Sequence, residues 1–174
     1  DCTAADIFEL TQRAVTEHGS VAAVCIWPKF VAQAVGELKG TGVKVATVVN
    51  FPEGGTDTKA VVAETEKAIA DGADEIDLVM PYRAFMDGRK GFAEEQIVQV
   101  KAVIPEPALL KVILETGLLD GFPMVKAWAD VLLSNEVITG AVAPEFMDEF
   151  HANLRRRETY VATLLDDAGA QAAE

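Results

Sequence analysis

The sequence predicts an α/β protein: a parallel sheet of four strands with helices between them and a helical C-terminal tail, in one domain spanning 1–174. Three observations predict it. Strand-like apolar runs alternate with helix-like stretches at intervals of roughly 25 to 35 residues, the rhythm of βα units, whose crossovers bring successive strands together in parallel. Breaking and capping residues, among them Thr56, Asp57, Gly72, Pro105 and Pro107, fall between the runs and not inside them. Half of the 174 residues are hydrophobic, enough to fill a core between a sheet and its helices.

The elements follow in order. Residues 4–17 read as an amphipathic helix with Ile7, Leu10 and Ala14 facing inward. Residues 21–27 read as a strand, 29–38 as a helix and 43–50 as the second strand. Thr56 or Asp57 can cap a helix over 58–71, rich in Ala, Glu and Lys, which stops near Gly72. The third strand covers 75–80, and a helix over 91–103 leads through Pro105 and Pro107 to the fourth strand, 109–115. Beyond it, 122–135 and 144–167 read as two helices separated by a short VITGAV strand or turn, and GAQAAE at the end should fray.

Charge and composition exclude several partners. A net charge of −13 and a pI near 4.5 argue against nucleic acid and anionic membrane surfaces, which need basic patches, and Arg155–Arg157 is the only basic cluster. No apolar run of 18 residues suggests a membrane span. Cys2 and Cys25 are too few for a disulfide framework, so a reducing cytoplasm is the expected compartment. No apolar leader follows a basic N-terminus, and the chain begins at Asp1 instead of Met, so some upstream sequence is expected to be missing. The two histidines stand far apart, which makes zinc an unexpected ligand, and no cofactor is expected.

Two ionisable residues interrupt the apolar strands. Asp77 lies inside ADEIDLVMPYR (73–83) and Lys111 inside LLKVILETG (109–117). Burying a charge costs free energy that packing alone does not demand, so both are candidate site residues; the plainer reading is an ion pair between them. Lys111 beside Asp77 would be held protonated, unlike an amine that attacks a carbonyl. Cys25, in AAVCIWPKF (22–30), reads either as a buried packing thiol or as a pocket residue. Asn50, ending VKVATVVNFPEGG (43–55), could bind a ligand hydroxyl or cap the turn before Pro52. Gly54-Gly55 reads as a loop more than as a phosphate cradle, since no helix N-terminus follows directly. Tyr82 and Arg83 follow the third strand and could line a mouth, with surface acids as an alternative partner for Arg83.

These four segments, in this order, resemble deoxyribose-phosphate aldolase, a class I aldolase on a TIM barrel. The likeness runs from about Thr3 to Leu118, two thirds of the chain, and leaves 119–174 as a divergent tail. It implies a partial (βα) barrel and reversible cleavage of 2-deoxy-D-ribose 5-phosphate to glyceraldehyde 3-phosphate and acetaldehyde through a Schiff base. It implies that Asp77 serves proton transfer, that Lys111 is a site residue other than the nucleophile, and that Cys25 and Thr116 stand near the substrate; Asn50, at a strand end on the C-terminal face of such a barrel, is a further candidate substrate contact. A small phosphorylated sugar or aldehyde is then the expected partner.

The family's Schiff-base lysine sits on a sixth strand reading like FIKTSTG, which this chain does not spell. No lysine occurs in the 48 residues after Lys126. A loose alignment of 129–146 with that strand puts Leu133 at the lysine position. The alternative is therefore a catalytically inactive truncated homologue that binds a small ligand or assembles as a half-barrel. Four strands cannot close a barrel that needs eight, so the sheet's open edges call for a cover, the tail helices or a second copy in a homo-oligomer, and Val24, Val48 and Ile113 are expected to be exposed at the seam.

Overall fold

The computed structural model describes residues 2–115 and Leu118, which belong to one compact unit spanning 1–120. The expected helices at 122–135 and 144–167, the VITGAV segment, Leu133, Thr116 and the end of the chain lie outside the described residues.

The first helix, α1 (Ala4–Arg13), opens on a reciprocal cap: Asp6 N–H donates to Thr3 Oγ1, and Thr3 N–H donates to Asp6 Oδ2 at 2.7 Å. Ile7 and Ala14 are buried, as their spacing predicts. The helix stops four residues short of 17 because a small antiparallel hairpin follows, β1 (Val15–Thr16) and β2 (Gly19–Ser20). Thr16 Oγ1 ties its turn by donating to the Gly19 carbonyl. Short polar side chains such as Thr compete for backbone groups in this way, and periodicity does not reveal it.

Four parallel strands then follow in simple order: β3 (Ala23–Ile26), β4 (Lys44–Val49), β5 (Glu75–Val79) and β6 (Leu109–Ile113). Their β-branched and aliphatic residues suit a pleated surface packed on both sides. A 3-10 turn (Pro28–Phe30) and α2 (Val31–Glu37) link β3 to β4. The crossover α3 (Thr58–Ala70) links β4 to β5; of its two candidate caps Asp57 serves, its Oδ1 accepting from Ala60 N–H at 3.1 Å. Between β5 and β6 stand α4 (Tyr82–Met86), a five-residue helix the sequence pattern does not predict, and α5 (Lys90–Ala102). Among the described residues no helix is long and apolar enough to cross a membrane.

Register divides the sheet into two chemically different faces. Val24 pairs with Val45, Ile26 with Thr47, and Thr47 in turn with Ile76, so these side chains share the face on which α2 and α3 pack against β4. All are buried, Ile76 and Thr47 completely. Removing each such aliphatic side chain from water is worth about 1.5–3 kcal/mol, which makes this layer the core. Val24, expected at an exposed seam, instead lies in that core with 4% exposure. The opposite face carries Cys25, Ala46, Val48, Glu75, Asp77, Lys111 and Ile113, with Val48 and Ile113 half-buried.

Candidate active site

Asp77 on β5 and Lys111 on β6 are register partners, so their side chains leave neighbouring strands on the same face. Alternation adds Glu75, two residues before Asp77. The Lys111 Nζ lies 2.7 Å from Asp77 Oδ1 and 2.8 Å from Glu75 Oε2. The carboxylate side chains are 16% and 19% exposed, whereas Lys111 is 48% exposed. Asp77 is thus sheltered, as its apolar strand predicts, but Lys111 is not: β6 is an edge of the described sheet, and the lysine stem bends from it towards the acids. Among the described residues, Asp77 Oδ1 is cut off from solvent and its one charged partner is the Lys111 ammonium.

Cys25 completes the group from β3. Its Sγ donates to Asp77 Oδ2 at 3.5 Å, reaching past β4 where its register partner is the small Ala46. The thiol is exposed, so the plain packing reading fails for it. Partial burial, and then the Asp77 charge and hydrogen bond, push the thiol above its ordinary range. Cys25 is a neutral donor and not a thiolate. For Lys111, burial alone would lower the pKa, but hydrogen bonds from the ammonium to Asp77 and Glu75, and their charges, outweigh it and hold the group above an ordinary lysine. Lys111 is a fixed cation that can donate to a ligand oxygen, and Asp77 a carboxylate able to exchange a proton beside it.

That raised pKa fixes the sign of a pH effect. A cation whose folded pKa is raised adds stability that is complete below the unfolded value, 10.5, and is lost as pH climbs through the folded one. Lys111→Met should therefore melt about 2–4 °C below the native chain at pH 8, a modest loss because the lysine is half exposed and solvent screens the pairs. The gap should narrow above pH 10.5. Thermal melts that show an equal gap at pH 8 and pH 11 would contradict the assignment.

At the end of β4, Asn50 is engaged by the fold. Its Nδ2 donates to the Val79 carbonyl at 2.9 Å and the Gly55 carbonyl at 3.1 Å, and its Oδ1 accepts from Gly55 N–H at 2.8 Å. Its backbone, at φ 57°, donates to Glu64 Oε2 at 2.8 Å. The turn-capping alternative describes these contacts. Buried Gln96 on α5 reinforces them by donating to the Gly55 carbonyl and to Thr58 Oγ1. Arg83 donates to the Glu53 carbonyl at 2.7 Å and pairs with its carboxylate, tying α4 to the same loop. A cavity of about 670 Å³ is lined, among the described residues, by Cys2, Trp27, Pro28 and Lys29.

Glu75 and Gln96 are the residues that sequence reasoning missed. Glu75 had a signal, since a second acid at i−2 on a strand shares the face of the first. Gln96 had none: a glutamine in an amphipathic helix reads as solvated.

A parallel βα sheet that carries an acid and an ammonium on register-paired inner-face positions defines the class, a partial (βα) barrel of aldolase type. The DeoC/LacD family aldolase profile matches residues 2–121. A deoxyribose-phosphate aldolase of Agrobacterium fabrum is 49% identical over 149 residues, covering 82% of this chain and 58% of that protein. Its alignment therefore continues past Leu118. A crystal structure from Coccidioides immitis assigned as a deoxyribose-phosphate aldolase superposes with a TM-score of 0.70 at 34% identity, over 75% of this chain and 50% of that one. The aldolase QR15 gives 0.67 at 30% identity, over 75% and 56%. The chain belongs to the DeoC/LacD aldolase family. It spans 58% of the length of the Agrobacterium relative and about half that of these solved structures.

Proposed function

We propose that this chain carries the proton-transfer floor of a deoxyribose-phosphate aldolase site, and that its ligand is a small phosphorylated sugar or aldehyde, 2-deoxy-D-ribose 5-phosphate being the reference case. In the retro-aldol reaction the C3 hydroxyl gives up its proton, the C2–C3 bond breaks, and the electron pair moves towards C1, releasing glyceraldehyde 3-phosphate and an enolate-like two-carbon fragment that takes a proton back at C2 to become acetaldehyde. Asp77 is the carboxylate that exchanges the proton, and the Lys111 ammonium holds a ligand oxygen. The family's covalent step requires a neutral amine, which Lys111 is not. Lys111 therefore takes part in the site as a cation and does not itself form a Schiff base at neutral pH.

The observation that carries this reading is the Lys111 ammonium fixed between Asp77 and Glu75, with its pKa raised. Two measurements test it. 2-Deoxy-D-ribose 5-phosphate titrated into the chain and followed by NMR should bind, and Lys111→Met should weaken that binding by roughly tenfold or more, the worth of one charge-assisted hydrogen bond. Incubation with acetaldehyde and borohydride at pH 7, mapped by peptide mass, should leave Lys111 unmodified. A stable adduct on Lys111 at pH 7 would make it the nucleophile and overturn the reading, as would unaltered binding by Lys111→Met.

A further inference from the structure

We propose that Glu75 is a positioning residue of this site: it shares the Lys111 ammonium with Asp77 and thereby fixes where the ammonium sits. The inference rests on the reading of Asp77 and Lys111 as the site floor and extends it to a residue for which the family resemblance implies no role.

The geometry makes the case. An ammonium has three N–H donors on a flexible four-carbon stem. One partner leaves it free to spin about the Cε–Nζ bond and to swing with the stem. Two carboxylates, Asp77 Oδ1 at 2.7 Å and Glu75 Oε2 at 2.8 Å, hold the ammonium between them and restrict the swing of the stem. Successive same-face positions on a strand are roughly 7 Å apart, a gap that one ammonium can bridge. Glu75 lies one row nearer the start of β5 than the register pair Asp77–Lys111. It draws the ammonium towards that end of the strands, below Asp77.

The other Asp77 oxygen is kept out of this arrangement. Oδ2 faces Cys25 Sγ, a weak neutral donor that a ligand hydroxyl can displace. The two carboxylates and one ammonium also leave the group with an excess of one negative charge. A single acid would only neutralise Lys111, whereas the pair holds it charged and leaves Asp77 an oxygen for exchange. Among the described residues, the charged and titratable groups gathered at the ammonium are Glu75 and Asp77 from β5, with the Cys25 thiol from β3 beside Asp77; β4 contributes Ala46 and Val48 to this face.

The test is the pH profile of reductive methylation by formaldehyde and cyanoborohydride, read at Lys111 by peptide mass in the full chain. Such a profile separates the midpoint, which reports the ammonium's pKa, from the plateau at high pH, which reports access. Glu75→Gln is isosteric and should speed methylation of Lys111 at pH 8 by roughly threefold to tenfold, since each unit of pKa is a factor of ten in free amine. The midpoint should fall while the plateau and the rates at Lys39 and Lys59 stay put. Glu75→Asp, which keeps the charge on a shorter stem, should give a smaller change in the same direction and serves if the glutamine variant folds poorly.

An unchanged midpoint in these variants overturns the inference. Asp77→Asn then tells the two ideas apart: if it alone lowers the midpoint, the Asp77–Lys111 floor survives without Glu75. If Asp77→Asn also leaves the midpoint unmoved, the floor reading falls with it.

Discussion

Gly54→Val should destabilise the chain by about 4 kcal/mol, seen as a fall in melting temperature on the order of 10 °C. Gly54 sits at φ +58°, in the left-handed region that β-branched side chains avoid. A Cβ there would strike the Met80 carbonyl oxygen and come within 2.8 Å of the Tyr82 ring. The Met80 oxygen belongs to the backbone leaving β5, and it already accepts from Tyr82 N–H at 2.7 Å, so it cannot step aside. Strain of roughly 1–2 kcal/mol from the backbone adds to about 1–3 kcal/mol from overpacking. Gly54→Ala carries the same clash with an easier backbone and should lose about half as much. Native melting by Gly54→Ala would show that the loop is not pressed against β5.

This loop connects stability to function because it fastens the end of β5, the strand that carries Asp77, to the end of the neighbouring β4. Asn50 closes β4, Met80 follows β5, and Gly54 lies between them. A shift at Gly54 is felt within a few residues of Asp77. Binding of 2-deoxy-D-ribose 5-phosphate by Gly54→Ala should therefore weaken even where the chain remains folded.

What could be read from the sequence was what local periodicity encodes. The four strands emerge because runs such as VKVATVV and EIDLV have no competing pattern, and their ends agree with the structure to within two residues. α4 and the Val15–Ser20 hairpin were not legible, because five- and two-residue elements carry too few side chains to show a period. In the site, Asp77 and Lys111 stood out because a charge in an apolar strand is costly. Their pairing with Glu75 depends on register, and register is settled by all four strands together. Val24 was misassigned for the same reason: its face is fixed by parity with Val45, which the sequence does not state. The difference between Cys25 as packing and Cys25 as a donor to Asp77 depends on Ala46 leaving room between them.

Asn50→Asp should cost about 3 kcal/mol at pH 7, although the two side chains have nearly the same shape. The amide donates to the Val79 and Gly55 carbonyls, and a carboxylate can donate to neither. The buried Val79 carbonyl left without the amide is worth about 1–3 kcal/mol, while the Gly55 carbonyl keeps its bond from Gln96; the new charge would stand beside both and near Glu64, whose carboxylate already takes the Asn50 backbone N–H. Backbone strain cannot account for such a loss, since aspartate tolerates a positive φ about as well as asparagine. The pH dependence follows from the same contacts. Facing acceptors, the new aspartate binds its proton more tightly folded than unfolded, so the penalty is full at neutral pH and shrinks as pH falls towards 4. The protonated acid regains one donor, and the melting difference from the native chain should drop by about a third or more. Asn50→Gly, which suits the backbone and loses every side-chain bond without adding charge, should lose stability to the same extent at both pH values. Equal losses for Asn50→Asp at pH 4 and pH 7 would mean that the amide donors are not what holds the loop to β5.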